Sequence, residues 1–330
     1  MPTKKNTFDV LSIGDCVVDT YVEIDQAHLT YGKTSHRPEK LCLNYAEKIA
    51  ITNSCQDIGG NAANVASGIA KLGLRCGIVS QIGDDINGNY VAYRLQESGV
   101  DTTYLRQEKK RETRYGVVLN YKAERTILSY YPERKYKLPK LAPTQWIYYT
   151  SHGQNCSNIQ KGVISYLRKH KHSNLAFNPG SHMLKDNMSL VHEVLPYVNL
   201  LICNKEEAQA MLKSKGDIPL LLKKFEKLGI AQVAITDGTK GSFLRSSGQS
   251  FFMKPFPIQA FAKTGAGDAF ASGLLAAIIY QKPPQEALCW ATANAGGVIQ
   301  KFGAQNGLLS RAGISSLLKK YPSILPQPLR

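Results

Sequence analysis

Short runs rich in β-branched and aromatic residues alternate with helix-length segments along most of the chain, and this alternation is the strongest constraint on its fold. Strands are expected at 8–14, 75–81, 146–151, 174–178, 199–203 and 231–236, and helices at 61–73, 86–98, 157–170, 186–195, 205–213 and 217–228. Strands separated by helices imply a mostly parallel sheet with helices on both faces, an α/β fold. Ligands of such sheets bind beyond the carboxyl ends of the strands. Gly14 and Thr236 end an expected strand and Asn204 follows one, so they converge on that edge although far apart in sequence, and Gly265 is expected there with them. Val17 to Gln56 and Glu112 to Tyr130 break the pattern, alternating polar and apolar residues as the strands of a small second layer would.

The chemistry is concentrated in Ala262-Lys263-Thr264-Gly265-Ala266-Gly267-Asp268-Ala269-Phe270. Gly265 and Gly267 permit a tight turn and close approach of backbone N–H groups to a ligand, and the apolar run from Ala269 to Tyr280 has the content of a buried helix. The first N–H groups of a helix lack internal partners and carry partial positive charge, which suits an anion. Asp268 would stand beside that anion, where a general base for an attacking hydroxyl belongs. The same residues also suit a plain helix start with an acidic first turn. Upstream, Ile58-Gly59-Gly60-Asn61-Ala62-Ala63-Asn64 opens a small-residue helix that ends at Gly73. Ala66, Gly68 and Ala70 suit close packing of the helix against a sheet, whereas Asn61 and Asn64 offer either caps or donors and acceptors for sugar hydroxyls.

These two segments, in this order, resemble the two signatures of the ribokinase-like, or PfkB, family of carbohydrate and nucleoside kinases. Further pieces are similar to that family: Val10 to Gly14 followed by Asp15 and Asp19, Asn204-Lys205-Glu206-Glu207, Ile235 to Gly241, and Asn294-Ala295-Gly296-Gly297. The resemblance spans residues 8 to 307 and is thinnest over 25–57 and 109–145. It implies a ribokinase-like three-layer αβα core (1–16, 58–108 and 132–330) with a mostly parallel central sheet. A small β-lid (17–57 and 109–131) would be inserted in it and offer edges for a homodimer.

By the same resemblance the activity is ATP-dependent phosphorylation of a sugar hydroxyl, of the ribokinase or fructokinase type. Asp268 is the expected base, and the backbone of Gly265, Ala266 and Gly267 the anion hole. Asp19, with Asp15 as second choice, and Gly59, Gly60, Asn61 and Asn64 would bind the acceptor. Asn204 and Glu207 match an N-x-x-E motif that orders Mg2+ through water; the alternative reading is a helix-start cap. Thr236, Gly238 and Gly241 would shape the loop against the ATP phosphates and ribose, with Asn294 near the adenine. Two other readings stay open: an adenosine-type nucleoside kinase, with Tyr115, Tyr121, Tyr130 and Tyr131 stacking on a base, and a non-catalytic sensor of the same fold. One departure stands out. Where the family commonly has Asp-Thr-Thr, this chain has Ala262-Lys263-Thr264, so a carboxylate that helps to hold a monovalent cation is missing, and weak or absent K+ activation is expected.

Composition excludes several other classes. No G-x-x-x-x-G-K-[ST] occurs, so this is not a P-loop enzyme. The net charge of +16 is spread over short clusters such as Lys109-Lys110-Arg111 and Arg168 to His172. These read as solvated faces rather than a nucleic-acid footprint, and the field they create favours the approach of ATP. Seven scattered cysteines without a C-x-x-C pair point to neither disulfides nor zinc. The polar start Met1 to Asn6 and the shortness of the longest apolar run give no sign of a signal peptide or a membrane span, so a cytoplasmic enzyme is expected.

Overall fold

A computed structural model describes residues 7–30, 40–122, 124–153, 155–261 and 263–329. The first half of the chain forms β1 (Phe8–Ile13), β2 (Val17–Ile24), β3 (His28–Thr30), β4 (Lys40–Cys42), β5 (Ile51–Gly59), α1 (Asn61–Lys71), β6 (Cys76–Gly83), α2 (Ile86–Glu97), β7 (Leu105–Glu108), β8 (Tyr115–Tyr121), β9 (Glu124–Tyr130), β10 (Thr144–Thr150) and α3 (Ser157–Lys169). There follow β11 (Asn174–Asn178), α4 (Gly180–Asp186), α5 (Met188–Val194), β12 (Leu200–Asn204), α6 (Lys205–Met211), α7 (Ile218–Lys227), β13 (Gln232–Thr236), β14 (Ser242–Ser246), β15 (Gln249–Met253), α8 (Ala266–Ile279), α9 (Pro284–Val298), α10 (Arg311–Lys320) and β16 (Gln327–Pro328).

The main sheet has ten strands in the order β16-β15-β14-β13-β12-β11-β10-β1-β6-β7. From β13 to β7 every pairing is parallel, while β14, β15 and β16 add antiparallel strands at one edge. Its strands are buried on both faces, which is why they read as apolar runs. In β10, Trp146 and Tyr148 join the core formed with α1, α2, α8, α9 and α10. Ile147 and Tyr149 of the same strand join the opposite core with α3 to α7. Two cores separated by one sheet make the expected three-layer α/β fold. The order reverses beside β1, so a crevice is expected at the carboxyl ends of β1 and β10.

A separate four-stranded sheet, β5-β2-β8-β9, comes from the two stretches that interrupt the alternation. β2 pairs antiparallel with β5 and parallel with β8. Every residue of the edge strand β9 is exposed. Some elements differ from the expectation. The helix expected over 186–195 is α5, which starts only at Met188 because Asn187 takes a non-helical conformation, and the short α4 before it was not expected. β7, with the mostly polar sequence LRQE, and the two-residue β16 are too short and too polar to signal strands. Five of the seven cysteines, Cys16, Cys76, Cys156, Cys203 and Cys289, are buried, and all seven are free thiols. Among the described residues no helix is long and apolar enough to cross a membrane.

Candidate active site

Gly265 starts α8 with φ at 78°, and a Cβ there would lie 2.7 Å from Ala304, so both the turn and the space require glycine. No side chain caps this helix start. The first hydrogen bond of the helix runs from Ala269 N–H to Gly265, which leaves the preceding N–H groups available to a ligand. A Cβ on Gly267 would meet no protein atom within 4 Å, so that face of the turn is open. Asp268 completes the first turn. Ala262 lies outside the described residues.

Asp268 is held from across the molecule by α1. Asn64 Nδ2 donates to its Oδ2 at 2.8 Å, and Asn64 Oδ1 accepts from Gln305 Nε2 at 3.0 Å. The helix of small residues makes this possible. Gly68, one turn beyond Asn64, faces Ser272, one turn beyond Asp268, so closely that a Cβ on Gly68 would lie 2.3 Å from the Ser272 hydroxyl. Ser272 has little room to give, because its hydroxyl donates to Ala269 O and accepts from Asn294. Close packing of α1 is therefore against the helix that carries Asp268, and it sets the Asn64 to Asp268 distance. Gly68→Ala is expected to cost about 1–3 kcal/mol of stability through overpacking, measured by urea denaturation, and to lower turnover because it separates the two helices.

Burial pushes the Asp268 carboxyl up to about 7; the Asn64 hydrogen bond opposes this, and the charge of Glu207 adds to it. That influence means that Glu207 lies within electrostatic reach of Asp268. Asn204 and Glu207 form a capping box on α6: Asn204 Oδ1 accepts from Glu207 N–H at 2.8 Å and Glu207 Oε2 accepts from Asn204 N–H at 3.0 Å. Thr236 ends β13 directly beside Asn204 in register. Beyond it Gly238, at φ 52°, has open space where a Cβ would stand, whereas Gly241, at φ 113°, packs closely against Met253. Asn294 is not brought to this edge with a group to offer. It is fully buried, its amide donates to Ala269 O and Ser272 Oγ, and its oxygen accepts from Leu309 N–H.

On the acceptor side the two aspartates differ. Both oxygens of the buried Asp15 are occupied, by Arg114 Nη1 at 2.6 Å and by the Tyr136 hydroxyl at 2.9 Å. Asp19, on β2, has no hydrogen bond among the described residues. Its carboxylate fits between Gly59 and Gly116 on the two neighbouring strands, where a Cβ would lie 2.3 Å and 2.2 Å from its oxygens. Burial pushes Asp19 up to about 6, against the pull of Arg114 and with the help of Asp57. Gly60, at φ 91°, precedes α1, and Asn61 reaches the Thr150 hydroxyl at 3.4 Å.

Three surrounding groups carried no clear sequence signal. Arg114 is clamped between Asp15 and the ring of Tyr131, 3.7 Å from its centroid, an arrangement that no motif in the sequence marks. Tyr136 lies in a stretch without periodicity, and Gln305 follows the last recognised motif. His152, after β10, is buried against Tyr136 and Tyr149, and burial lowers its pKa, which favours the neutral ring. Lys263, two residues before Gly265, is exposed and its Nζ is 2.5 Å from Glu124 on β9.

Comparison with known proteins gives this edge of the sheet its context. The chain matches the pfkB family of carbohydrate kinases over residues 22–311 and belongs to that family. It is thus a phosphotransferase that acts on a hydroxyl group. It is 26% identical over 268 residues to a ribokinase of Haemophilus influenzae, covering 77% of this chain and 84% of that one. The fold is similar to that of Arabidopsis thaliana ribokinase complexed with ribose and ATP (TM-score 0.76, 22% identity, 95% of this chain and 99% of that one). It is equally similar to a nucleoside kinase of Methanocaldococcus jannaschii, an archaeal member of the ribokinase family (TM-score 0.76, 18% identity, 96% and 99%).

Proposed function

We propose that this protein transfers the γ-phosphoryl group of ATP to a hydroxyl of a sugar, with Asp268 as general base and the backbone at 265–267 as anion hole. The observation that carries this reading is a carboxylate with a pKa raised to about 7, oriented by Asn64, one residue past an uncapped and open helix start. Asp268 takes the proton of the acceptor hydroxyl as its oxygen attacks the γ-phosphorus, and the bond to the β-phosphate oxygen breaks to release ADP. Negative charge developing on the transferred group is met by backbone N–H groups that are already oriented. Asn204, Thr236 and Gly238, at neighbouring carboxyl ends of the sheet, suit the nucleotide side. Glu207 keeps a carboxylate beside that side, a donor that fits a water-shelled Mg2+; the ion would neutralise phosphate charge.

Asp19 is the proposed ligand of the sugar hydroxyls, with Asn61 beside it; Asp15 acts instead by holding Arg114 and Tyr136 in place. The second sheet, from 17–57 and 109–131, would be the lid over the core of 1–16, 58–108 and 132–330, since it carries Asp19. Ile127, Leu128 and Tyr130 are exposed on its edge strand, which favours a homodimer through that edge. A sugar is favoured over a nucleoside because three of the four candidate tyrosines are engaged elsewhere and Tyr130 is exposed on the edge strand. Tyr115 bonds to Thr20, Tyr121 to Ala27 O, and Tyr131 stacks on Arg114.

The pH profile tests the assignment of the base. Asp268 must be ionised to accept a proton, so kcat/KM is expected to rise with pH and level off above about 7. Asn64→Ala removes the hydrogen bond that favours the ionised form, so the rise is expected to move upward by about one pH unit. A profile that is flat from pH 5 to 8, or unmoved in the variant, contradicts the role of Asp268. Adding K+ at constant ionic strength is expected to raise kcat weakly or not at all, because the sequence has Ala262 where the family commonly has a carboxylate. A strong rise of kcat counts against that.

A further inference from the structure

Outside this cleft, a hollow of about 860 Å3 is walled by Arg106, Lys109, Arg111, Arg134, Lys135 and Lys137. Its one carboxylate, Glu108, is engaged by the buried Arg134 at 2.9 Å. The other five cations are exposed, and none is in an ion pair among the described residues. They repel one another across one concavity, a cost that a bound anion would remove. Three segments build the wall. In the turn after β7, Lys110 takes φ 58°, and Lys109 and Arg111 on either side of it face the hollow. The extended stretch 134–137 forms a second part, and Asn158 in the first turn of α3 a third. That helix start has neither a side-chain cap nor an acidic residue in its first turn, so its partial positive charge adds to the field. Charges on an edge strand such as β7 can serve to block strand pairing. Arg111, Lys135 and Lys137, however, lie off the strand.

We propose that this hollow is a second anion site, which binds a small compound carrying two or more linked phosphate groups, and that its occupancy is felt at the acceptor side. Its volume falls within the roughly 300–1,000 Å3 of small-molecule pockets. The cations converge on one concavity instead of forming the stripe that an extended nucleic acid requires. Tyr136, the aromatic residue in the wall, is buried with its hydroxyl on Asp15, so no ring is presented to a base and charge alone selects the ligand. Lys135 and Lys137 flank this tyrosine. A ligand that draws them inward therefore acts on Asp15 and its partner Arg114, and the acceptor KM should respond rather than the KM for ATP.

The probe is inorganic tripolyphosphate, titrated calorimetrically into the full chain without nucleotide. The triple variant Lys109→Ala, Lys135→Ala, Lys137→Ala is expected to lose one binding event, weakened by more than about tenfold. Its melting temperature should be that of the parent or higher, since mutual repulsion is relieved, and its ATP KM should stay that of the parent. With Mg2+ in excess and ATP saturating, tripolyphosphate is expected to shift the acceptor KM of the parent and not that of the variant. Equal binding by parent and variant overturns the site, as does affinity that grows with the length of an RNA probe and exceeds that for tripolyphosphate. A KM shift that persists in the variant, or is missing in the parent, overturns the coupling. The titration needs no turnover, so it stands or falls independently of the proposed chemistry at Asp268.

Discussion

Asp268→Asn is expected to lower kcat by about 10²–10⁴, the usual contribution of a positioned general base, while acceptor and ATP binding persist. The amide keeps an oxygen for Asn64 but cannot take the hydroxyl proton. Stability should move the other way. The folded protein holds the Asp268 proton up to about 7, whereas the unfolded chain releases it near the ordinary value of 3.8. Between these pH values the folded state binds more protons, so this group lowers stability progressively as pH rises from 3.8 toward 7. A neutral amide has no charge to desolvate. At pH 8 the variant is therefore expected to melt at or above the temperature of the parent, as scanning calorimetry would show. Lost turnover together with lost stability would instead make Asp268 a structural residue.

Asp19→Ala is expected to raise the acceptor KM by about 10² or more, since hydrogen bonds to a charged group contribute about 1.5–3 kcal/mol each and a carboxylate accepts two hydroxyls. The KM for ATP should not change. Asp19 is suited to this because the structure gives it room and no partner: two glycines accommodate its oxygens, and burial without a hydrogen bond pushes it up to about 6. Asp15→Asn provides the contrast. It breaks the buried pair with Arg114, and a loss of about 3–5 kcal/mol in stability is expected. Steady-state kinetics with each substrate varied in turn, alongside urea denaturation, separates the two. If both variants affect the acceptor KM and stability alike, the division of roles between these aspartates is wrong.

Local features of the chain were readable from its sequence. The alternation predicted the layers, and glycines next to a carboxylate marked the start of α8, because the chemistry of a turn is written in adjacent residues. Long-range pairings were not. The bond between Asn64 and Asp268 joins residues 204 apart, and it depends on how closely Gly68 and Ser272 let two helices approach. Arg114 and Tyr136 acquire their meaning only when folding brings them to Asp15, so a single sequence offers nothing to distinguish them from surface charge and aromatic packing. Asn294 shows the converse. The family resemblance put it near the adenine, but its amide bridges α8 and the segment at Leu309 inside the core. The basic cluster at Lys109 to Arg111 read as a solvated face; the structure adds Lys135 and Lys137 to it across a hollow.

The central claim is sugar phosphorylation at Asp268, and its most direct test is ADP release with ATP and Mg2+ over ribose, fructose, 2-keto-3-deoxygluconate, fructose phosphates, adenosine, guanosine and inosine, with Asp268→Asn as the blank. Turnover on a sugar that disappears in the variant is the predicted result. Turnover confined to nucleosides, or a variant as active as the parent, would contradict it.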